Sequence, residues 1–118
     1  MTHVYVRNIL IYNMISDILS QCTGFEWDKH NSEKIKTRHA VSPVECEQIS
    51  FNQPLIAGSD EKHSQTEIRF YVLGRTDAAR LLFLVFTARG DRLRVISARD
   101  MNKKERRVYQ THEEDSKV

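Results

Sequence analysis

The stretch RLLFLVFTARGDRLRVISARDMNKKERRVY, residues 80–109, decides the fold. Its first part, Leu81–Thr87, is apolar at almost every position, which predicts a central strand covered on both faces. Gly90-Asp91 marks a tight turn, and a half-basic strand and a basic helix follow. Eight Lys and Arg against three Asp and Glu lie between Arg89 and Arg107, although the whole chain carries only +2. Such a local surplus of cations beside a sheet favours a ligand that carries phosphate.

Length and composition restrict the class of protein. At 118 residues, with 40% hydrophobic and 29% charged residues, the chain is typical of one soluble globular domain. The pI of about 8.6 permits nucleic acid as a partner without requiring it. Cys22 and Cys46 lack the spacing of a metal site or a redox pair, so we expect two reduced thiols in the cytoplasm. The sequence shows no targeting signal and no apolar run long enough to span a membrane.

Capping signals predict two helices ahead of the strands. Asp28 is a suitable N-cap for a helix over Lys29–Arg38, whose basic residues lie late, as the helix dipole favours. Ser42–Glu45 has Ser at the N-cap, Pro at the first helical position and Glu at the third, which is a capping box. The second helix is expected to end near Ser50.

Four strands and a last helix follow. Strands are predicted over Leu55–Ala57, Thr66–Leu73, Leu81–Thr87 and Arg92–Ala98, and the helix over 103–112 behind an Asn102–Glu105 capping box. Alternation in the second strand places Ile68, Phe70 and Val72 opposite Glu67, Arg69 and Tyr71. In the fourth it places Leu93, Val95 and Ser97 opposite Arg92, Arg94 and Ile96. The fold class is therefore α+β: two N-terminal helices, a four-stranded antiparallel meander and a C-terminal helix.

Three segments are expected along the chain. Residues 1–24 form an N-terminal extension, with a short strand or arm over 1–13 and one or two helical turns over 14–20. Residues 25–112 form the domain, and residues 113–118 a frayed tail.

Short motifs then follow one another in the order of a known family. They are Phe25-Glu-Trp-Asp28, Asn31-x-x-Lys34, Arg38-His39, Val41-Ser-Pro43, Asp60-Glu-Lys-His-Ser64, Leu73-Gly-Arg75, Arg80-Leu-Leu82, Phe86-Thr87, Arg94-Val-Ile-Ser-Ala-Arg99 and Lys104-Glu-Arg106. On this ordered series the chain resembles the BrnT family of bacterial toxins. The resemblance implies a RelE-like fold, RNA cleavage, growth arrest, and a small BrnA antitoxin that relieves the arrest.

The chain departs from the family pattern at three positions. Ile35 stands where many relatives carry Asn, Ala40 where Gly is usual, and His30 where Gly is frequent. Residues 1–13 have no recognisable counterpart, and a start at Met14 is the alternative for this segment.

RNA cleavage without a metal needs a base for the 2′-OH proton, cations for the extra charge on phosphorus, and an acid for the leaving 5′-oxygen. Histidine suits proton transfer because its unperturbed pKa of about 6.5 lets both forms exist near neutrality. Arginine grips phosphate with a planar fork that keeps its charge. We predict a catalytic set of His39, Arg75, Arg94, Arg99 and Glu67, and an RNA-binding set of Lys34, Arg38, Arg69, Arg92 and Tyr109.

Most of these residues also have a structural interpretation. His39 suits a C-terminal cap, Arg75 a salt bridge with Asp77, and Arg99 an ion pair with Asp100 or Glu105. Glu67 is more readily explained by a cross-strand ion pair with an arginine, Arg92 and Arg94 by a solvated face, and Tyr109 by packing on the sheet. The roles of base and acid stay open among His39, Glu67 and His63.

The sequence thus predicts a metal-independent endoribonuclease toxin that uses no cofactor. Its expected partners are RNA and a BrnA-like antitoxin, with DNA reached only through the antitoxin and no membrane association. The alternative is a non-catalytic, decayed toxin that binds the antitoxin and assists its binding to operator DNA.

Overall fold

A computed structural model describes residues 4–5, 17–18, 21–60 and 67–116 of the protein. Within these ranges the strands are β1 Val4–Tyr5, β2 Gly24–Glu26, β3 Leu55–Ser59, β4 Arg69–Arg75, β5 Leu81–Arg89 and β6 Arg92–Asp100. The helices are α1 Lys29–His39, α2 Pro43–Ile49 and α3 Lys103–Ser116. Asp17, Ile18 and Gln21 are also helical, while most of the N-terminal extension and His63 lie outside the described residues. Helix α3 continues beyond the predicted end near His112.

The strands form one sheet in the order β1-β3-β4-β5-β6-β2. Strands β3 to β6 pair antiparallel in sequence, as the predicted meander requires. Two short parallel strands, β1 on β3 and β2 on β6, extend the sheet at its edges. The α+β class is confirmed, and the sheet is wider than the predicted four strands.

The helices begin where the sequence predicts, through reciprocal side-chain and backbone hydrogen bonds. Asp28 accepts from the Asn31 N–H at 2.9 Å, and Asn31 accepts from the Asp28 N–H at 2.8 Å. The Ser42–Glu45 box begins α2, with bonds of 3.2 and 3.0 Å. The Asn102–Glu105 box begins α3, with two bonds of 2.8 Å. All three predicted capping residues are confirmed.

The two faces of the sheet carry different layers. On the core face, α1 and α2 bury Ile35, Cys46 and Ile49 against a large apolar cluster of the strands. Gly74 permits this packing because a Cβ there would come within 2.9 Å of the Ile49 Cβ. On the other face, which we call the α3 face, the last helix buries a smaller cluster at one end of the sheet.

Tyr109 belongs to that smaller cluster. Its side chain is fully buried with Ile56, Leu73 and Met101, and its hydroxyl donates to the Pro54 carbonyl at 2.7 Å. Burial raises the pKa of the Tyr109 phenol. The prediction that Tyr109 contacts RNA is wrong in this structure, because no face of its ring reaches the surface.

A β-bulge changes the face of the residues that end β6. The register shifts between Val85 and Phe86, so that Ser97 lies opposite Val85 and Arg99 opposite Phe83. Ser97 is therefore on the α3 face, and its predicted place beside Leu93 is wrong. The inserted residue reverses the alternation and places Arg99 on the same face as the arginines that precede the bulge.

Ala40, one of the three departures, ends α1 in a left-handed conformation, with φ 53° and ψ 39°. Glycine adopts this conformation without the steric cost that a Cβ brings, so Ala40 carries that cost here. Ile35, another departure, is fully buried in the core. Among the described residues, no helix has the length and apolar character needed to cross a membrane.

Candidate functional site

A chain of ion pairs crosses the α3 face near the β5–β6 turn. Its successive nitrogen–oxygen distances are 2.8, 3.0, 3.7, 3.8 and 3.5 Å. Its members, in order, are Asp28, Arg94, Glu26, Arg89, Glu67 and Arg69. In this ion-pair chain each guanidinium group has a carboxylate beside it. The predicted cations Arg69 and Arg94 are therefore already neutralised, and Glu67 forms the ion pairs that were its structural alternative.

Arg94 is the most tightly held member of the ion-pair chain. It donates to Glu26 at 3.0 Å and lies 2.8 Å from Asp28, with only 12% of its side chain exposed. The hydrogen bond from Arg94, followed by that from the Asn31 backbone, lowers the pKa of Asp28 to about 2. The bond to Asp28 raises the pKa of Arg94, against a smaller opposite effect of burial. Because Arg94 and Asp28 both stay charged at neutral pH, the ion pairs of Arg94 hold β6 to β2 and to the residues that follow β2.

Arg99 is bound at a different place, beside the first turn of α3. Its guanidinium lies 4.1 Å from the centroid of the Phe83 ring. It donates to both carboxylate oxygens of Glu105, at 2.7 and 3.0 Å, which was one of its two structural alternatives. Partial burial alone would raise the pKa of Glu105, but the hydrogen bonds from Arg99 and the Asn102 backbone lower it.

Arg75 ends β4 at the edge of the Tyr109 cluster. Its Nε donates to the Gln53 carbonyl at 2.9 Å, and its two terminal nitrogens make no hydrogen bond to any described residue. The predicted salt bridge with Asp77 is absent among the described residues, since Asp77 accepts instead from Asn52 at 3.0 Å. Of the predicted catalytic arginines, Arg75 makes the fewest side-chain hydrogen bonds and ion pairs with the described residues.

The three predicted catalytic arginines share a face without meeting. In the register of the sheet, Arg75 lies opposite Leu81, and Arg94 opposite Thr87. Arg99, opposite Phe83, lies between these two rows. Each binds a different partner, so the structure does not bring them to one phosphate-sized site.

The predicted residues of α1 lie on the core-face side of the sheet. His39 is exposed at the end of the helix, and Arg38 is exposed beside it. Lys34 donates to the Ile96 carbonyl at 3.2 Å, where β6 bulges. Arg92 is exposed at the start of β6, and its side chain forms no hydrogen bond or ion pair with another described residue. The side chains of α1 are separated from Arg99 by the sheet. Arg92 lies at the start of β6 and is separated from Arg99 by most of the length of that strand.

Arg80, which the predicted site did not include, organises the far end of the sheet. It donates to Asp100 at 2.8 and 3.2 Å and to Glu45 at 3.1 Å. It also donates to the carbonyls of Ala40 at 2.9 Å and His39 at 3.1 Å. We call this cluster the Arg80 junction, because one side chain joins α1, α2 and β6. Its one sequence signal was its position at the start of a buried strand, within the Arg80-Leu-Leu82 motif.

The Arg80 junction also sets the charge state of its carboxylates. The hydrogen bond from Arg80 lowers the pKa of Asp100, and the nearby charge of His39 acts in the same direction. Burial would raise the pKa of Glu45, but hydrogen bonds from Ser42 and Arg80 lower it. His39 therefore lies beside a structural cluster, rather than beside the predicted catalytic arginines.

A cleft of about 500 Å³ opens between α3 and the α3 face. Its floor includes Tyr71 and Phe83, whose rings stack with centroids 5.9 Å apart and planes inclined by 15°. Its helical wall includes Lys104, Val108 and His112, which are four residues apart and share one side of α3. Alternation along the strand predicted the face on which Tyr71 lies but no role for it, and no local signal indicated that α3 would lie beside it.

Tyr71 lies flat because Gly58 has no side chain. Gly58 is the neighbour of Tyr71 across the β3–β4 pair, and a Cβ at Gly58 would overlap the Tyr71 ring. The Tyr71 ring thus packs on the backbone of Gly58 and lines the cleft. In the ranges that the structure describes, no group of three or more His, Cys, Asp and Glu side chains is arranged to hold a metal ion.

Comparison with known families identifies the chain. The model of the family described as "Ribonuclease toxin, BrnT, of type II toxin-antitoxin system" matches residues 27–105 of the 118. The chain belongs to the BrnT family. The segment that matches the BrnT model includes the Arg80 junction and most of the ion-pair chain. It also includes Tyr71, Phe83 and Lys104 of the cleft, whereas Val108 and His112 follow it.

One solved structure of the family can be compared directly. The crystal structure of the Brucella abortus ribonuclease toxin BrnT is 17% identical to this chain. The match covers 68% of this chain and 97% of that chain, with a TM-score of 0.49. No curated protein sequence matches the chain.

Proposed function

We propose that this protein is a metal-independent endoribonuclease toxin with a RelE-like fold, which arrests growth by cleaving RNA. We further propose that a cognate BrnA-like antitoxin neutralises it in the cytoplasm and provides its only connection to DNA. The observation that carries the proposal is the match of the BrnT ribonuclease toxin model over residues 27–105. The cation-rich segment between Arg89 and Arg107 supports it, because RNA binding requires such charge.

The proposed reaction is attack by a ribose 2′-oxygen on the adjacent phosphorus. A base takes the 2′-OH proton, the bond from phosphorus to the 5′-oxygen breaks, and an acid protonates the leaving oxygen. His39 and Glu67 are the candidates for proton transfer, and Arg75, Arg94 and Arg99 for stabilising the charge on phosphorus. Lys34, Arg38, Arg69 and Arg92 are proposed to bind the RNA backbone. The terminal nitrogens of Arg75, which make no hydrogen bond to a described residue, and the exposed side chain of His39 are consistent with these roles.

One observation favours a second candidate function, a non-catalytic toxin that binds its antitoxin and assists operator binding. Arg94 and Arg99 already bind carboxylates, and Arg75 lies apart from both. A phosphate would have to compete with Glu26, Asp28 and Glu105 for these groups. This arrangement supports a structural use of the arginines, which a protein without catalytic activity would retain.

The decisive experiment is cleavage of a mixed RNA by the purified protein in excess EDTA. Arg75→Ala and His39→Ala are the informative variants, since neither side chain is central to the fold, and Lys36→Ala is an exposed control. The proposal predicts cleavage by the wild type and by Lys36→Ala, with a loss of about a hundredfold in at least one of the other two, the scale of a lost transition-state contact.

Three other results have distinct meanings. Equal cleavage by all four proteins would point to a contaminating nuclease or to a different site. No cleavage by any of them, together with normal growth when the chain is expressed alone, would favour the non-catalytic toxin. Growth arrest without cleavage of free RNA would instead indicate that the ribosome is required.

A further inference from the structure

The cleft beside α3 contains chemistry that the proposed reaction does not use. Its floor is a flat aromatic surface, in which Tyr71 stacks against Phe83 and lies on the bare backbone of Gly58. The guanidinium of Arg99 lies over Phe83 from the neighbouring strand, whereas Tyr71 is half-buried and lines the cleft. An aromatic ring that lines a cleft in this way is suited to stacking with a second planar group.

The opening of the cleft is cationic. The start of α3 carries Lys103, Lys104, Arg106 and Arg107 against Glu105. The Glu105 carboxylate is already occupied by Arg99, so it does not neutralise these lysines and arginines. Lys104 itself lines the cleft and is exposed, and its side chain forms no hydrogen bond or ion pair with another described residue. The cleft therefore combines an aromatic floor with a free cation at its rim.

The dimensions of the cleft restrict its occupant. A volume of about 500 Å³, bounded by α3 on one side, admits a single planar ring with its attached sugar. A base inside a duplex has both faces stacked and cannot reach such a floor, whereas an unpaired base can. An acidic group attached to a planar ring is the chemistry that both the floor and the rim complement, and a nucleotide supplies it.

We propose that this cleft binds one unpaired nucleotide of the RNA, with its base stacked on Tyr71 and its phosphate beside Lys104. This inference rests on the proposed function and adds to it a substrate class: the protein selects single-stranded RNA. Stacking on an aromatic side chain is tolerant of base identity, so the cleft contributes affinity and strand selectivity more than sequence preference.

Binding of RNA that cannot be cleaved tests the inference separately from catalysis. The probe is a fluorescent 2′-O-methyl oligonucleotide, which lacks the attacking hydroxyl, used as a single strand and as a duplex. Tyr71→Leu removes the ring, Tyr71→Phe keeps it, and Phe51→Leu changes an exposed aromatic residue outside the cleft. We expect Tyr71→Leu to weaken single-strand binding by about 5- to 100-fold. Tyr71→Phe and Phe51→Leu should bind like the wild type, and the duplex should bind more weakly.

Two further variants keep the result interpretable. Gly58→Ala displaces the ring into the cleft and should weaken binding as Tyr71→Leu does, provided that circular dichroism shows a folded protein. Lys104→Ala should reduce the slope of log affinity against log salt by about 1, as expected for one lost phosphate contact. If Gly58→Ala does not fold, the comparison of Tyr71→Leu with Tyr71→Phe decides alone.

Unchanged single-strand binding by Tyr71→Leu would overturn the inference, as would equal affinity for the single strand and the duplex. If Tyr71→Leu binds RNA normally but loses the antitoxin, the cleft is an antitoxin contact, and the inference is wrong. Absence of cleavage in EDTA does not affect this measurement, so the inference and the proposed function fail in different experiments.

Discussion

Arg80 of the Arg80 junction and Lys104 of the cleft beside α3 both belong to residues 80–109, yet the two sites use charge in opposite ways. At the junction, Arg80 gives its hydrogen bonds to Asp100, Glu45 and two carbonyls, and 28% of its side chain is exposed. At the cleft, the Lys104 side chain has no such partner among the described residues, and it lines the same cleft as the Tyr71 and Phe83 rings. An arginine surrounded by carboxylates holds elements of the fold together, whereas a lysine beside an apolar cleft floor is available to a ligand.

The comparison shows that the residues of a sequence motif can stabilise the fold as readily as they can form a functional site. Asn31 is buried and donates to the Glu26 and Val95 carbonyls, at 3.2 and 3.3 Å. Gly74 makes room for α2, and Arg80 joins three elements. These residues carry much of the resemblance to the BrnT family, and their contacts are with the fold itself.

The largest effect on stability is expected from Arg80→Met. The substitution keeps the aliphatic stem but leaves Asp100 and Glu45 without their partner, so unfolding in urea should show a loss of about 3 kcal/mol. Arg38→Met is the matched control, because Arg38 is exposed and forms no hydrogen bond with another described residue. A loss below about 0.5 kcal/mol for Arg80→Met would mean that the junction does not hold the elements together.

A smaller effect on stability is expected when the pH is lowered. Asp100 and Glu45 have lowered pKa values in the folded protein, from ordinary values of 3.8 and 4.5. Their contribution is therefore complete above about pH 5 and is lost as the pH falls through the lowered values. We expect the stability difference between the wild type and Arg80→Met to shrink between pH 5 and pH 3. It should not vanish, because the two carbonyl bonds do not titrate; a constant difference would contradict the role of the carboxylates.

Ala40→Gly should stabilise the protein by about 1 kcal/mol, because the left-handed conformation of Ala40 carries a steric cost that glycine avoids. The carbonyl of Ala40 accepts from Arg80, so the substitution relieves the junction without removing a contact. Ala78→Gly, at an exposed position whose own φ is not positive, is the control and should give no gain. A decrease in the melting temperature of Ala40→Gly would refute the expectation.

The smallest effect on stability is expected at the cleft. Lys104→Ala removes an exposed side chain that contributes no hydrogen bond to the described part of the fold, so the free energy of unfolding should change by less than about 0.5 kcal/mol. Together with weaker RNA binding, this result would separate the cleft from the junction, where the expected effect of a substitution is on stability. A large loss of stability would instead give Lys104 a structural role.

Local signals allowed much of the fold to be predicted. The caps Asp28, Ser42 and Asn102 act within three residues of themselves, so their sequence neighbours suffice. The meander follows from alternation and short turns, which are also local. The alternation predicted for the second strand and for the start of the fourth is confirmed, since Arg69 and Arg94 both lie opposite Thr87 in the register of the sheet.

What could not be predicted depends on distant contacts. The bulge beside Phe86 is a property of a strand pair, and without it strict alternation would place Arg99 on the core face. The partners of Arg80 lie between 20 and 41 residues away in the chain. Strands of two and three residues, such as β1 and β2, have no pattern of their own. The burial of Tyr109 depends on the course of α3 across the sheet, which amphipathic spacing alone does not fix.

The bond from Lys34 to β6 also bears on how the protein avoids self-association. Strand β2 covers β6 only along residues 92–94, and an uncovered sheet edge is a template for pairing with another molecule. Directly beyond β2, the Asn31 amide occupies the Val95 carbonyl and the Lys34 ammonium occupies the Ile96 carbonyl. The side chains of Asn31 and Lys34 thus take the place of strand hydrogen bonds beyond β2. The Lys34 ammonium also places a positive charge where the sheet edge of a second molecule would approach.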